Sequence, residues 1–293
     1  MIPKTRFILL DLGWGIDRQG NGGLFGLNNT KSTTRISYIC ELCVMQTTVR
    51  PLNLLQKIIL TMLSILTDNH DLDSNRGYGA TLRRLLRAIK EGQNWSDVSK
   101  SAFDGQGSMG NGAAMRVCPI GAYYYDNLQK AKLLAIKSSE VTHSNIKAIT
   151  GTIAIAIGTA LTTKMKSDSR FLQPLEFIDK ILEELPDSDT KSKISKSNSI
   201  SYNYQIETVK SILGNGTNMT AQDTVPFAIW CTAYNLENFE EALWKAVSIL
   251  GDRDTICAMV GGMTIMSTRT ENIPNNWIAK VEKFETSIFR TKK

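Results

Sequence analysis

Two carboxylates stand at i and i+2 in Gly251-Asp252-Arg253-Asp254-Thr255, followed by a hydroxyl and the apolar run Ile256-Cys257-Ala258-Met259-Val260-Gly261-Gly262. Oxygen donors of this kind suit a hard cation such as Mg²⁺, which takes a few carboxylates and keeps part of its water shell. The apolar run marks a buried helix, so Asp252, Asp254 and Thr255 read as a metal-binding turn at its start. The same residues also read as a solvated turn in which Asp252 or Asp254 caps the helix.

The second chemical signal is Gly107-Ser108-Met109-Gly110-Asn111-Gly112-Ala113-Ala114-Met115-Arg116. Three glycines around Ser108 and Asn111 let the backbone approach a ligand closely. Successive N–H groups, with a helix expected just after them, can cradle phosphate oxygens. Ser108 and Asn111 can hydrogen-bond a sugar or a base; an ordinary glycine turn is the plain alternative. Arg76-Gly77-Tyr78-Gly79 likewise leads into a helix N-terminus, which makes either an anion site or a simple turn and cap. His143, in Thr142-His143-Ser144, is one of two histidines with His70, and a lone histidine is by itself as readily structural. No Ser-His-Asp or Cys-His spacing supports nucleophilic catalysis.

The elements that must position these residues are helical. Leu54, Leu55, Ile58, Ile59 and Met62 recur at spacings of three and four, as do Leu82, Leu85, Leu86 and Ile89 before Gly92. Helices are predicted over 128–138, 146–161, 175–185, 225–234, 239–250, 255–267 and 277–288. Gly151, Ala154, Ala156, Gly158 and Ala160 let neighbours approach closely, which places that helix at the centre of a bundle. The polar, Ser- and Lys-rich stretch 187–203 reads as a mobile loop. No convincing pair of alternating strands appears, so the fold class is all-α. Residues 1–50 form an atypical segment with a Gly/Asn-rich stretch from Gly20 to Gly26, and residues 51–293 form the helical domain.

Composition narrows the function. With 293 residues, 42% apolar and 21% charged, the chain can bury a substantial core. The net charge of +6 comes without a basic stripe interleaved with aromatics, so no direct nucleic-acid binding is expected. Cys40 and Cys43 lack a second pair at zinc spacing, and scattered reduced thiols fit an intracellular protein, cytoplasmic or nuclear. The run Phe7-Ile8-Leu9-Leu10 is short for a signal sequence. The apolar window 146–161 is interrupted by Lys147, Thr150 and Thr152, so a core helix rather than a membrane span is expected. Nothing signals an oligomer, and a monomer is the default.

Taken in order, these motifs resemble the ADP-ribosylglycohydrolase family: R-G-Y-G at Arg76–Gly79, S-x-G-N-G-A-x-M-R at Ser108–Arg116, T-H at Thr142–His143, V-P-F-A-I at Val225–Ile229 and G-D-x-D-T at Gly251–Thr255. The segment Asn238-Phe239-Glu240-Glu241-Ala242-Leu243 is similar too. The resemblance covers roughly residues 70 to 270 and is nearest to the ADP-ribosylhydrolase 3-like branch, which removes ADP-ribose from serine and degrades poly(ADP-ribose). It implies a single-domain orthogonal helical bundle with two Mg²⁺ ions beside the ribose to be cleaved. Asp252, Asp254 and Thr255 would be the C-terminal metal ligands. Gly107, Ser108, Met109, Gly110, Asn111 and Gly112 would wrap ADP-ribose, His143 would lie by the ligand and Gly79 near the diphosphate. Met109 stands where the related branch has an aromatic that stacks on adenine; it can cover a ring face less specifically.

The chain departs from the family before its first helix. Members carry a T-D-D-T element and, earlier, an acidic residue near G-D-x-x-G. Here the corresponding stretch is Met45-Gln46-Thr47-Thr48-Val49, where only Thr48 fits. Thr67-Asp68-Asn69 lies too close to Arg76 to leave room for the intervening helix. Glu41 is the nearest carboxylate upstream of Met45 and carries no acid role over, so the catalytic residue is unassigned. Two origins stand open: a relative that has lost half its site, or a foreign frame or exon joined to a family body. The expectation is Mg²⁺-dependent hydrolysis of O-linked ADP-ribose or poly(ADP-ribose), impaired by the lost ligands; the alternative is a non-catalytic ADP-ribose-binding or structural protein.

Overall fold

A computed structural model describes residues 14–16, 22–24 and 79–279. The first helical pattern near Leu54, the stretch 45–49, the Cys40–Cys43 pair, Arg76–Tyr78 and the boundary near residue 50 lie outside these residues. Twelve α-helices are described. They are α1 (Ala80–Lys90), α2 (Trp95–Ser101), α3 (Cys118–Tyr123), α4 (Leu128–Glu140), α5 (Ile146–Asp168) and α6 (Pro174–Glu183), then α7 (Asp189–Lys196), α8 (Ile206–Leu213), α9 (Ala221–Ala233), α10 (Phe239–Ser248), α11 (Arg253–Ser267) and α12 (Asn275–Ala279). The fold is all-α, as the periodicity requires. Among the described residues the helices are joined by a ribbon of two three-residue antiparallel strands, β1 (Trp14–Ile16) and β2 (Gly22–Leu24), with Gly15 opposite Gly23. Strands this short carry no alternation to read.

Helix α5 is the axis of the bundle. It packs against α3, α4, α9 and α11, with α6 and α7 completing its surround. By length and composition it could cross a membrane, yet 83% of its most apolar window is buried inside the protein. Its buried threonines remain compatible with that position because their hydroxyls are spent on the helix itself. Thr152 donates to the Ala148 carbonyl, Thr159 to that of Ile155 and Thr163 to that of Thr159. Small residues set the neighbours' distance: a Cβ on Gly158 would lie 2.7 Å from Met263 Sδ on α11. Helix α11 in turn packs on α9 and α10, so α5, α9 and α11 form the inner layer.

Two expectations fail. The stretch 187–203 is ordered as α7 and the 3₁₀ turn Ser197–Ser199. Ser188 accepts from the Lys191 N–H as an N-cap, and Thr190 and Ile194 are fully buried. Within α7 two buried side chains are too few to register as a helical period, but they suffice to anchor two turns. The residues after the glycine loop do not start a helix at once. Ala114–Arg116 is a 3₁₀ turn and α3 begins only at Cys118, with Pro119 in its first turn. The helix expected over 277–288 is described only as Asn275–Ala279.

Candidate functional site

Three helix N-termini meet at the glycine loop. Gly107 turns out of the segment after α2 with φ +72° and donates its N–H to the Ala102 carbonyl. Next the loop runs antiparallel beside the residues that open α9. The Asn111 N–H donates to the Met219 carbonyl at 3.1 Å and the Ala221 N–H to the Met109 carbonyl at 2.9 Å. On its other side the loop closes over His143, two residues before the Asn145 cap of α5. Cβ atoms on Gly110 and Gly112 would lie 3.0 and 3.2 Å from His143 Nε2. A side chain at either position would crowd the ring, which would have to give by a few tenths of an ångström.

Asn111 ties this loop to the acidic turn. Its side-chain amide donates to Thr224 Oγ1 at 3.0 Å, in the first turn of α9, and to Asp252 Oδ2 at 2.7 Å, at the N-cap of α11. Asp252 stands in the N-cap position, but its side chain makes no capping hydrogen bond. The carboxylate is turned toward Asn111 instead, which argues against the simple capping reading. Burial first, then the adjacent Asp254 carboxyl, push the Asp252 carboxyl up to about 6. Thr255 is buried, with its hydroxyl 3.9 Å from Met115 Sδ. Two crowded carboxylates and a hydroxyl on one helical turn are a donor set that a hard cation fits, because its charge relieves both burial and repulsion. Among the described residues no further His, Cys, Asp or Glu joins them in a cluster of three.

A segment the sequence reading missed supports this turn. Gly214-Asn215-Gly216-Thr217 passes behind it, and the Asp252 N–H donates to the Asn215 carbonyl at 2.9 Å. Gly216 has φ +82°, and a Cβ on it would lie 2.5 Å from that of Asp252. The G-N-G-T pattern was visible in the sequence, but its proximity to Asp252 depends on the packing of α8, α9 and α11.

The loop's remaining polar groups fit an anionic, hydroxyl-rich ligand. The N–H of Gly110 is held by Ser108 Oγ at 3.2 Å, while those of Ser108, Met109 and Gly112 donate to no group among the described residues. The partial positive charge of the α5 and α9 N-termini favours an anion nearby. Although part of His143 reaches solvent, its ring is enclosed under the loop. That enclosure, with the Arg116 cation beside it, pushes the imidazole down to about 3, so it is neutral at physiological pH. Met109 is half-buried. Gly79 is exposed at the N-cap of α1, and no hydrogen bond links it to the loop or the acidic turn.

A family model described as ADP-ribosylglycohydrolase matches residues 40–291. An uncharacterized protein of Archaeoglobus fulgidus is 31% identical over 205 residues, 70% of this chain and 62% of its own. ADP-ribosylhydrolase ARH3 of Gallus gallus is 30% identical over 242 residues, 73% of this chain and 65% of its own. The Homo sapiens protein of the same name is 28% identical over 243 residues, with the same two shares. The chain thus spans somewhat under two-thirds of the length of these relatives. A solved structure described as an ADP-ribosylglycohydrolase-related protein complex superposes with a TM-score of 0.59 over 95% of this chain and 90% of its own, at 18% identity, which establishes the shared fold.

Proposed function

Because the chain belongs to the ADP-ribosylglycohydrolase family, we propose that its cleft holds ADP-ribose. We further propose that it is a slow Mg²⁺-dependent hydrolase of O-linked (serine) ADP-ribose or poly(ADP-ribose). The observation that carries this reading is the Asn111 bridge, which joins the ligand loop to Asp252 at 2.7 Å. Whatever the loop binds is thereby held beside the carboxylates. The N–H groups of Ser108, Met109 and Gly112, which donate to no group among the described residues, suit the diphosphate, and Met109 offers an apolar flank to the adenine face. Neutral His143 can donate to a ribose or phosphate oxygen without adding charge.

Asp252, Asp254 and Thr255 would hold Mg²⁺, which when bound supplies Lewis-acid polarisation of the ribose hydroxyls. Cleaving the glycosidic bond passes through an oxocarbenium-like state that a positioned acidic residue must assist. The sequence has no T-D-D-T element to complete the other half of the metal site, and for that reason we assign it weak turnover. The same lack favours a second reading, an ADP-ribose binder without catalysis. Three buried free thiols, Cys118, Cys231 and Cys257, suit the intracellular setting in which we place it.

Thermal-shift titration with ADP-ribose and Mg²⁺, run beside an assay of ADP-ribose release from a serine-ADP-ribosylated peptide, tests these readings. Stabilisation with slow, Mg²⁺-dependent release supports the hydrolase, and stabilisation without release supports the binder. Rapid turnover would refute the missing-ligand argument. No stabilisation by either compound would leave a structural role.

A further inference from the structure

Arg116 is the most unusual buried group outside the acidic turn. The residue is 5% exposed, and no carboxylate among the described residues pairs with its guanidinium. A buried cation is costly, so the groups that accept its protons matter. Nη1 donates to the Gly112 carbonyl at 3.1 Å, at the end of the ligand loop. Nη2 uses its two hydrogens on the Ser138 carbonyl at 3.0 Å and on Thr142 Oγ1 at 2.7 Å.

Since arginine only donates, Thr142 Oγ1 accepts from it. The hydroxyl keeps one proton of its own, and His143 Nδ1 lies 2.6 Å away. If Nδ1 carried the ring proton, the Thr142 proton would have no acceptor among the described residues. The order Arg116 to Thr142 to His143 Nδ1 gives both the Thr142 proton and the Nδ1 lone pair a partner and leaves the imidazole proton on Nε2. That atom sits under Gly110 and Gly112 and has no protein partner among the described residues. The burial and positive surroundings that keep the ring neutral agree with this order.

We infer that Arg116 and Thr142 are positioning residues that lock His143 as the Nε2–H tautomer, so that the loop offers a neutral hydrogen-bond donor to an oxygen of the ADP-ribose it holds. The ligand half of this inference rests on the ADP-ribose reading; the tautomer half does not. Arg116 also fixes the Gly112 carbonyl, so one cation orders both the loop and the ring beneath it.

With only two histidines in the chain, ring ¹⁵N–¹H spectra of the full-length protein labelled with ¹⁵N-histidine resolve the question, His70→Gln assigning the other signal. At pH 7 His143 should show the Nε2–H pattern. Thr142→Val keeps the shape but removes the hydroxyl, and should release the ring to a mixture of tautomers. It should also weaken ADP-ribose binding by roughly tenfold, the worth of one hydrogen bond. Thr142→Ser should restore both properties. A purely structural Thr142 would lower the melting temperature of Thr142→Val without changing the ring pattern. An Nδ1–H or cationic ring in the wild type, or a wild-type pattern in Thr142→Val, overturns the lock. Wild-type ADP-ribose affinity in Thr142→Val overturns the donor role. A locked ring in a wild-type protein that binds no ADP-ribose overturns the ligand half together with the ADP-ribose reading, and leaves the lock standing.

Discussion

Asn111 and Asp252 are separated by 141 positions in sequence, yet the Asn111 amide donates to Asp252 Oδ2 at 2.7 Å. The two strongest chemical motifs of the chain are thus parts of one site. Asn111 also holds Thr224, so a single side chain fixes the glycine loop to the N-terminal ends of both α9 and α11.

Replacing Asn111 should therefore cost more than one hydrogen bond. Asn111→Ala is expected to destabilise the fold by about 1–3 kcal/mol, because it leaves a half-buried carboxylate short of a donor. Asn111→Asp should be worse than Ala at neutral pH, since it sets a further negative charge against Asp252. Urea denaturation at pH 7 measures both; equal stability of the two variants would show that Asp252 does not feel position 111.

The loop glycines should separate by cause. Gly107→Ala forces a side chain into a left-handed conformation and into Ser144 Oγ and the Asn145 N–H, so a loss of about 1–3 kcal/mol is expected. Gly110→Ala meets the edge of the His143 ring and Ser108 Oγ, side-chain atoms that can give by a few tenths of an ångström. It should destabilise less but disturb ADP-ribose binding more. Denaturation curves and ligand titrations of the two variants check this crossing of effects.

The pH dependence of stability follows from His143. Its folded-state value, about 3, lies below the ordinary 6.5, chiefly through burial. Between those values the unfolded chain binds a proton that the native ring refuses, so this contribution is full above 6.5 and is lost as pH falls toward 3. His143→Gln removes the titrating group. The stability difference between wild type and variant should therefore shrink or reverse on acidification, and a constant difference from pH 7 to pH 4 would contradict the assignment.

Much of this was legible in the sequence because it is local. The spacing of Leu82, Leu85, Leu86 and Ile89 gives α1, Pro174 opens α6, and the small residues of α5 announce a central helix. The glycines of 107–112 and the pair Asp252 and Asp254 stand out by type alone. What escaped depends on long-range packing. The support of Asp252 by Asn215 needs α8, α9 and α11 in place. Arg116 and Thr142 resemble any polar pair until burial and the His143 ring give them partners. Helix α7 has only two buried side chains to signal it, among residues whose composition suggests a loop.

The acidic turn makes its own prediction. Asp252→Asn and Asp254→Asn should each abolish most of the Mg²⁺-dependent rise in melting temperature, while Asp252→Asn also loosens the Asn111 bridge and lowers stability without metal. Thermal melts with and without Mg²⁺ read both effects. Undiminished Mg²⁺ stabilisation in either variant would place the cation elsewhere.

The central claim is that the cleft between the glycine loop, His143 and Asp252 holds ADP-ribose. Calorimetric titration of the full chain with ADP-ribose in Mg²⁺ tests it most directly. Saturable one-to-one binding, weakened in Asn111→Ala and Asp252→Asn, is the result expected. Absence of saturable binding, or binding indifferent to both substitutions, would contradict it.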